Sequence, residues 1–148
     1  MKRILLTIAI GFITVASYAQ WSNPVDDIPA YHPFPPANVA ALKPVLHGKQ
    51  LTGPYFHYGW QVVVYKEAAK IPGVLYQLPC FCRCDRALGH TSLLSCYQGT
   101  HAAICSTCAK EGAFAYEMTM QGWTPKQIRE AIEHKAYEKI DLKKIRRS

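Results

Sequence analysis

The sequence lacks internal repeats, and it lacks the alternation of strand-like and helix-like segments that builds parallel α/β domains. The apolar run Ile4–Val15 is too short to span a bilayer comfortably, because a spanning helix needs about 20 apolar residues. Cysteine is absent outside the interval from Cys80 to Cys108. These absences argue against a repeat array, a βαβ domain and a comfortable membrane span. They also confine any thiol chemistry to one segment.

The N-terminal residues have the composition of a secretory signal. Lys2 and Arg3 precede the apolar run, and Ser17 and Ala19 are small residues at the two positions that a signal peptidase inspects. We expect cleavage after residue 19, with an uncleaved anchor as the alternative, and export to the periplasm or the extracellular space. After cleavage no stable membrane span is expected.

The remaining pattern predicts a mainly α fold: a small helical domain with a Cys-rich loop, preceded by an extended Pro-rich segment. Prolines fix φ and remove backbone donors, so the Pro-rich segment should be extended, with at most a short helix near Asn38–Leu42. The expected divisions are a signal peptide (1–19), a Pro- and aromatic-rich linker (20–58), a Cys-rich helical domain (59–140) and a basic tail (141–148).

Several helices are expected within the Cys-rich domain. Ala68 and Ala69 favour a helix that ends before Pro72, although a short strand over Val62–Tyr65 is the alternative. The stretch "GHTSLLSCYQG" predicts one short helix closed by Gly99. The apolar spacing after it predicts a longer helix over His101–Gln121.

The clearest helix boundaries lie near the C-terminus. Gly122 stands where a C-terminal cap is expected. Thr124, Pro125 and Gln127 then match an N-cap, a first helical residue and a capping box. The basic residues that follow are spread around the helix and interrupted by acidic ones, which favours a solvated helix end over a nucleic-acid or membrane partner.

Three cysteines alternate in "PCFCRC", and this spacing predicts three sulfurs on one face of an extended segment. The Cα atoms of successive cysteines would lie about 6.6 Å apart, near the upper limit for a disulfide, so Cys80, Cys82 and Cys84 are poorly placed to pair with one another without a bend. Each could instead pair elsewhere, or the three could curl around a metal. In "HAAICSTC", His101, Cys105 and Cys108 stand at i, i+4 and i+7, which is one face of a helix.

Thiolates and imidazoles in one short interval are typical ligands of Cu(I) and Zn(II). The candidates suffice for two four-coordinate sites, or for one site and one disulfide. The candidate metal ligands are Cys80, Cys82, Cys84, His90, Cys96, His101, Cys105 and Cys108.

Two other uses of the thiols stay open. An even number of cysteines in an exported protein is also typical of structural disulfides. Cys105 and Cys108 near a helix start would feel the positive end of the helix dipole, as redox thiols do.

The stretches "IPGVLYQLPCFCRCDRALGHTSLLSCY" and "HAAICSTCAKEGAFAYEM" resemble the small exported bacterial family named after its PCYCGC motif, whose relatives are described as CYCXC family proteins. The resemblance covers approximately residues 55–132. It implies a small extracytoplasmic domain, and the selenocysteine that some relatives carry at a motif cysteine favours a chemically active thiol. Phe81 and Arg83 stand in place of the motif's Tyr and Gly, so Arg83 is expected to alter the turn between Cys82 and Cys84.

Together these features predict an exported protein that binds Cu(I) or Zn(II) and captures or delivers the ion. No catalytic base or substrate pocket is identifiable, so an enzymatic role is not assigned. The expected partners are the metal ion and an extracytoplasmic protein, and no nucleic acid. The alternatives are a thiol–disulfide redox protein that uses Cys105 and Cys108, and a disulfide-stapled interaction module.

Overall fold

The computed structural model describes residues 27–146, so the signal peptide predicted over residues 1–19 lies outside the described residues. The fold is mainly helical, as predicted, and contains no strand within residues 27–146. The α-helices are α1 (Gly59–Ala68), α2 (Pro72–Leu75), α3 (Cys84–Leu88), α4 (Leu93–Tyr97), α5 (His101–Ile104), α6 (Ser106–Met120) and α7 (Pro125–Glu133). None of these helices is long and apolar enough to cross a membrane.

Helix α6 lies at the centre of the domain and contacts α1, α2, α4, α5 and α7. Its buried side carries small residues, among them Ala109 and Gly112, which let neighbouring elements approach closely. A Cβ atom on Gly112 would lie 1.9 Å from the hydroxyl oxygen of Tyr97, so only glycine fits there. That hydroxyl donates a hydrogen bond of 2.9 Å to the carbonyl of Cys108. Helix α4 is thereby fixed against the first turn of α6.

Three of the predicted helix boundaries are confirmed. Helix α1 covers Val62–Tyr65, which rules out the alternative strand, and it stops before Pro72. Helix α4 covers the predicted short helix. Gly122 follows α6 with φ of 84°, and the N–H of Trp123 bonds back to the carbonyl of Met118 at 3.0 Å, as in a Schellman cap. Local signals were sufficient at these positions.

The start of α7 is also confirmed. The Thr124 hydroxyl oxygen accepts a hydrogen bond from the N–H of Gln127, and the Gln127 side chain bonds back to the N–H of Thr124. This reciprocal capping box orients the helix so that Ile128 and Ile132 are fully buried.

The single long helix predicted over His101–Gln121 is wrong, because the chain is extended at Cys105, with φ of −114° and ψ of 109°. Tertiary hydrogen bonds explain the break. The Gln61 side chain donates to the carbonyl of Ala103 at 2.6 Å, taking the acceptor that a continuous helix would use. The Tyr65 hydroxyl accepts from the N–H of Ala103 at 3.2 Å. Cys105 therefore ends α5 and caps the start of α6.

The extended segment predicted over Cys80–Cys84 is also wrong. The chain turns at Phe81 and Cys82, the N–H of Arg83 bonds to the carbonyl of Cys80 at 3.2 Å, and α3 begins at Cys84. Arg83 itself is left-handed, with φ of 63°. The three cysteines consequently curl around a common point instead of lining one face of a strand.

The Pro-rich segment lies along the helical domain over its described part, residues 27–58. A 3₁₀ turn at Val39–Ala41 is the short helical element expected there. The N–H of Leu46 donates to the carbonyl of Tyr97 at 3.0 Å, and Val45 and Leu51 are buried in the core. This segment therefore contributes to the packing around α4.

Candidate metal centre

Three elements bring the thiols together: the turn at residues 80–83 with the start of α3, helix α4, and the first turn of α6. The turn and α3 supply Cys80, Cys82 and Cys84, α4 supplies Cys96, and α6 supplies Cys108. All of these are buried except Cys82, which is half-buried. The centre is therefore a convergence of separate elements, held by the contact between Tyr97 and the backbone of Cys108.

The sulfur atoms touch one another without bonding. Cys80 Sγ lies 3.3 Å from Cys108 Sγ and 3.4 Å from Cys82 Sγ, and Cys84 Sγ lies 3.4 Å from Cys96 Sγ. A disulfide needs about 2.05 Å, and all six cysteines are free. A tetrahedral zinc ion with Zn–S bonds of about 2.3 Å would hold its sulfurs about 3.8 Å apart. The cluster could thus hold a metal ion after small shifts of the sulfur atoms.

The donors form two four-ligand sets, and within each set all ligand atoms lie within 4.8 Å of one another. The first set is fully buried and consists of Cys80, Cys84, Cys96 and Cys108. The second set consists of Cys82, Cys84, His101 and Cys108. These sets correspond to the Cys₄ and Cys₃His ligand combinations that structural zinc sites use.

The two histidines lie beside the thiols. His101 Nε2 is 3.5 Å from Cys82 Sγ, and His90 Nδ1 is 3.3 Å from Cys96 Sγ. Burial alone would lower the pKa of His101, but its hydrogen bond with Cys82 and the negative charge of the nearby thiolates outweigh burial and raise that pKa. His101 is thus placed to pair with a thiolate or to replace that pairing with a bond to a metal.

The structure brings six of the eight sequence-predicted ligands into these sets and leaves His90 and Cys105 at their edge. His90 forms a hydrogen bond with Cys96 and packs edge-on against the His101 ring, with the ring centroids 5.3 Å apart. Cys105 is half-buried beside the exposed Ile104 and is close enough to Cys82 and Cys108 to influence their ionisation.

Crowding of the thiols favours ionisation at some positions. Hydrogen bonds from Cys105, then from Cys108 and Cys80, lower the pKa of Cys82 to about 2. The hydrogen bond from Cys108, followed by that from Cys80, lowers the pKa of Cys84 to about 3 and that of Cys96 to about 2. These contacts therefore favour the thiolate form at the three positions.

The other two buried sulfurs keep their protons. The hydrogen bond with Cys105, together with those to the neighbouring thiols and burial, raises the pKa of Cys108. The contact with Cys108 acts to lower the pKa of Cys80, but its other thiol neighbours and burial raise it overall. Without a cation the cluster thus shares the protons of Cys80 and Cys108 among adjacent thiolates.

Glu111 is a residue at the site that the sequence reasoning missed. It lies one turn after Cys108 in α6, is fully buried, and accepts a hydrogen bond of 2.8 Å from the N–H of Phe81. Its second carboxylate oxygen has no hydrogen-bond partner. Burial raises its pKa well above the usual range, although the contacts with Cys80 and Phe81 oppose the rise. The i+3 spacing from Cys108 was the signal that could have found it.

Asp27 and Ala30 contact the turn and the start of α3. The carbonyl of Asp27 accepts a hydrogen bond of 2.7 Å from Arg83 Nη1, and the Asp27 carboxylate pairs with Arg83 at 3.2 Å and with Arg86. Arg83 also lies 3.6 Å from Asp85, whose carboxylate accepts from the N–H of Ala30. The guanidinium of Arg83 is therefore directed at carboxylates.

The sequence that forms this site matches a known protein family. Residues 58–141 match a family model described as a protein of unknown function with PCYCGC motif. The matched range includes every cysteine of the chain. No curated protein and no solved structure matches the chain.

Proposed function

We propose that this chain, which belongs to the family of proteins with a PCYCGC motif, is an exported metal-binding protein that captures or delivers Cu(I) or Zn(II). The observation that carries the proposal is the buried cluster of free thiols, in which the ligand atoms of each of two four-ligand sets lie within 4.8 Å of one another. Thiolate-rich ligand sets select soft or borderline ions over magnesium and calcium. The signal-like composition of residues 1–19 supports export.

The ionisation of the cluster suits ion capture, because some of its thiols favour the thiolate form and others carry protons that a metal ion can displace. Metal ligands must be deprotonated, so a bound ion takes the place of the protons on Cys80 and Cys108. The half-buried Cys82 and His101 leave one side of the cluster closer to solvent than the fully buried first set. An ion would pass between solvent and the cluster on that side.

The test is mass spectrometry of the protein expressed with its own N-terminal segment and recovered from the export compartment. Native spectra count the bound metal, and denaturing spectra after thiol alkylation count the free cysteines. We expect a chain that begins at Gln20, a bound Cu(I) or Zn(II) ion, and at least four alkylatable thiols. A metal-free chain with all six cysteines paired would contradict the proposal.

Matched thiol-to-hydroxyl variants sharpen this test. Cys84→Ser removes a donor that belongs to both ligand sets, whereas Cys105→Ser removes a thiol outside both. We expect Cys84→Ser to lose most of the bound metal and Cys105→Ser to retain it. Equal loss in the two variants would assign binding to something other than these sets.

A thiol–disulfide redox function is the second candidate, and one observation favours it. Cys105 occupies the N-cap position of the fifteen-residue helix α6, and Cys108 lies in its first turn, so the two thiols form a Cys-x-x-Cys pair at a helix start, as in disulfide oxidoreductases. In this case, replacing one of the two thiols would trap mixed disulfides between the other and protein partners. A metal carrier should give no such adducts when Cys105 is replaced by Ser.

A further inference from the structure

The two ligand sets overlap, and the overlap bears on how many ions the cluster takes. Cys84 and Cys108 belong to both sets, whereas Cys80 and Cys96 belong only to the first, and Cys82 and His101 only to the second. Two four-coordinate ions need eight ligand positions in total. The six donors supply eight positions when the two common thiolates each bind both ions.

From this overlap, and resting on the proposed function, we propose that the cluster holds two metal ions joined by bridging thiolates of Cys84 and Cys108. Cys80 and Cys96 complete the first ion's ligands, and Cys82 and His101 complete the second's. The bridging pair consists of the first residue of α3 and a residue in the first turn of α6. Both bridging sulfurs are buried, which keeps water out of the positions between the ions.

Contacts between the sets support one cluster over two separate sites. Cys82 Sγ of the second set lies 3.4 Å from Cys108 Sγ, and Cys80 Sγ of the first set lies 3.3 Å from the same atom. Cys80 and Cys82 are themselves 3.4 Å apart, so no protein atom separates the terminal ligands of the two ions. A single ion in the first set would leave Cys82 and His101 unused beside it.

Charge also favours two ions when the ion is divalent. The six donors include five thiols, and if all ionise, one divalent ion leaves three negative charges in a largely buried site. Two divalent ions leave only one. Uncompensated buried charge is strongly unfavourable, and the guanidinium of Arg83, which stands between Cys82 and Cys84 in sequence, pairs with Asp27 and Asp85. A second divalent ion thus neutralises most of the charge that a single ion would leave.

The experiment loads the reduced protein with Zn(II) for native mass spectrometry and with ¹¹³Cd(II) for NMR. We expect saturation at two ions per chain and two ¹¹³Cd signals split by mutual coupling, which is transmitted only through shared sulfur atoms. Saturation at one ion, or two signals without mutual coupling, would overturn the bridged cluster and leave the proposed function standing. If no ion binds, both proposals fail.

A variant keeps the test decisive even if removal of a bridging cysteine prevents folding. His101→Ala deletes a half-buried terminal ligand of the second set alone, so we expect it to bind one ion and to give a single ¹¹³Cd signal. His134→Ala is the matched control, because His134 is exposed at the end of α7, and it should keep both ions. Two coupled ions in His101→Ala would overturn the assignment of His101 to the second ion.

Discussion

At the scale of single residues, Glu111 connects the thiol cluster to the surrounding chain. Its carboxylate accepts the N–H of Phe81, which lies between Cys80 and Cys82, so it fixes the turn that presents both sulfurs. The side chain is fully buried, and one oxygen lacks a partner. A buried carboxyl group in this position is more stable when neutral, which is why its pKa is raised well above the usual range.

Replacing Glu111 should therefore have a pH-dependent effect on the metal-free, reduced protein. A raised folded-state pKa gives stability that is complete below the unfolded pKa and is lost as pH rises toward the folded value. Glu111→Gln removes that loss and keeps an acceptor for Phe81. We expect the variant to be more stable than the wild type near pH 7.5 and about equal to it near pH 4, measured by urea unfolding.

Two further variants control this prediction. Glu111→Ala leaves the Phe81 N–H without its partner, so it should be less stable than Glu111→Gln by about 1–3 kcal/mol at both pH values. Glu130→Gln removes an exposed carboxylate that pairs only with Lys126 along the surface, so it should change stability by less than about 1 kcal/mol. Equal destabilisation by Glu111→Gln at both pH values would show that the carboxyl group is not neutral at neutral pH.

At the scale of elements, the turn before α3 determines whether the sulfurs converge. Arg83 occupies the left-handed region with φ of 63°, where the family's PCYCGC motif has glycine. A side chain in this region costs about 1–2 kcal/mol relative to glycine. In return, the Arg83 guanidinium bonds to the carbonyl and the carboxylate of Asp27. Arginine at this position thus adds backbone strain, and its guanidinium adds a contact with the preceding segment.

A pair of variants separates these two effects of Arg83. Arg83→Gly and Arg83→Ala lose the same guanidinium contacts, but only the alanine keeps the left-handed strain. We expect Arg83→Gly to be more stable than Arg83→Ala by about 1 kcal/mol in urea unfolding. The same comparison at the exposed Lys135, with φ of 61°, should give a similar difference. Equal stability of the two Arg83 variants would mean that the turn tolerates a side chain without strain.

The elements also show which features were predictable from sequence. Thr124, Pro125 and Gln127 act on the backbone beside them, so the start of α7 was predictable. The break at Cys105 was not, because it depends on a hydrogen bond from Gln61, which is distant in sequence.

The same distinction holds at the candidate site. Residue type and clustering were enough to nominate the thiols and His101, because soft-metal ligands are few in kind. The left-handed Arg83 was missed because the glycine that marks such a turn is absent here. Glu111 was missed because its spacing from Cys108 has meaning only once α6 is known to pack against the turn.

At the scale of the whole molecule, the cluster joins the turn, α4 and α6, which are otherwise connected by packing around Tyr97 and Gly112. Binding an ion here would restrain three elements at once, so binding free energy should appear as folding stability. The segment that begins at Asp27 lies outside this set of ligands and is held by Arg83 and Arg86. Metal loading is therefore expected to stabilise the helical domain as a unit.

Acid should weaken this stabilisation in a defined direction. The raised pKa values of Cys80 and Cys108 keep both thiols protonated at neutral pH, so an ion must displace at least two protons on binding. Release of two protons makes the affinity fall about a hundredfold for each pH unit of acidification. We expect the gap in unfolding temperature between Zn(II)-loaded and chelator-treated protein to narrow steadily from about pH 8 to pH 5.5 under reducing conditions.

A pH indicator in weakly buffered solution supplies the independent measurement, since it counts the protons released when Zn(II) is added near pH 7. The control is Cys84→Ser, which lacks a donor common to both ligand sets and should show neither the gap nor the proton release. A gap that stays constant with pH would mean that Cys80 and Cys108 are already ionised before binding. In that case all five thiols of the two ligand sets would be ionised in the metal-free protein without a cation. The charge argument for a second ion would then lose its basis.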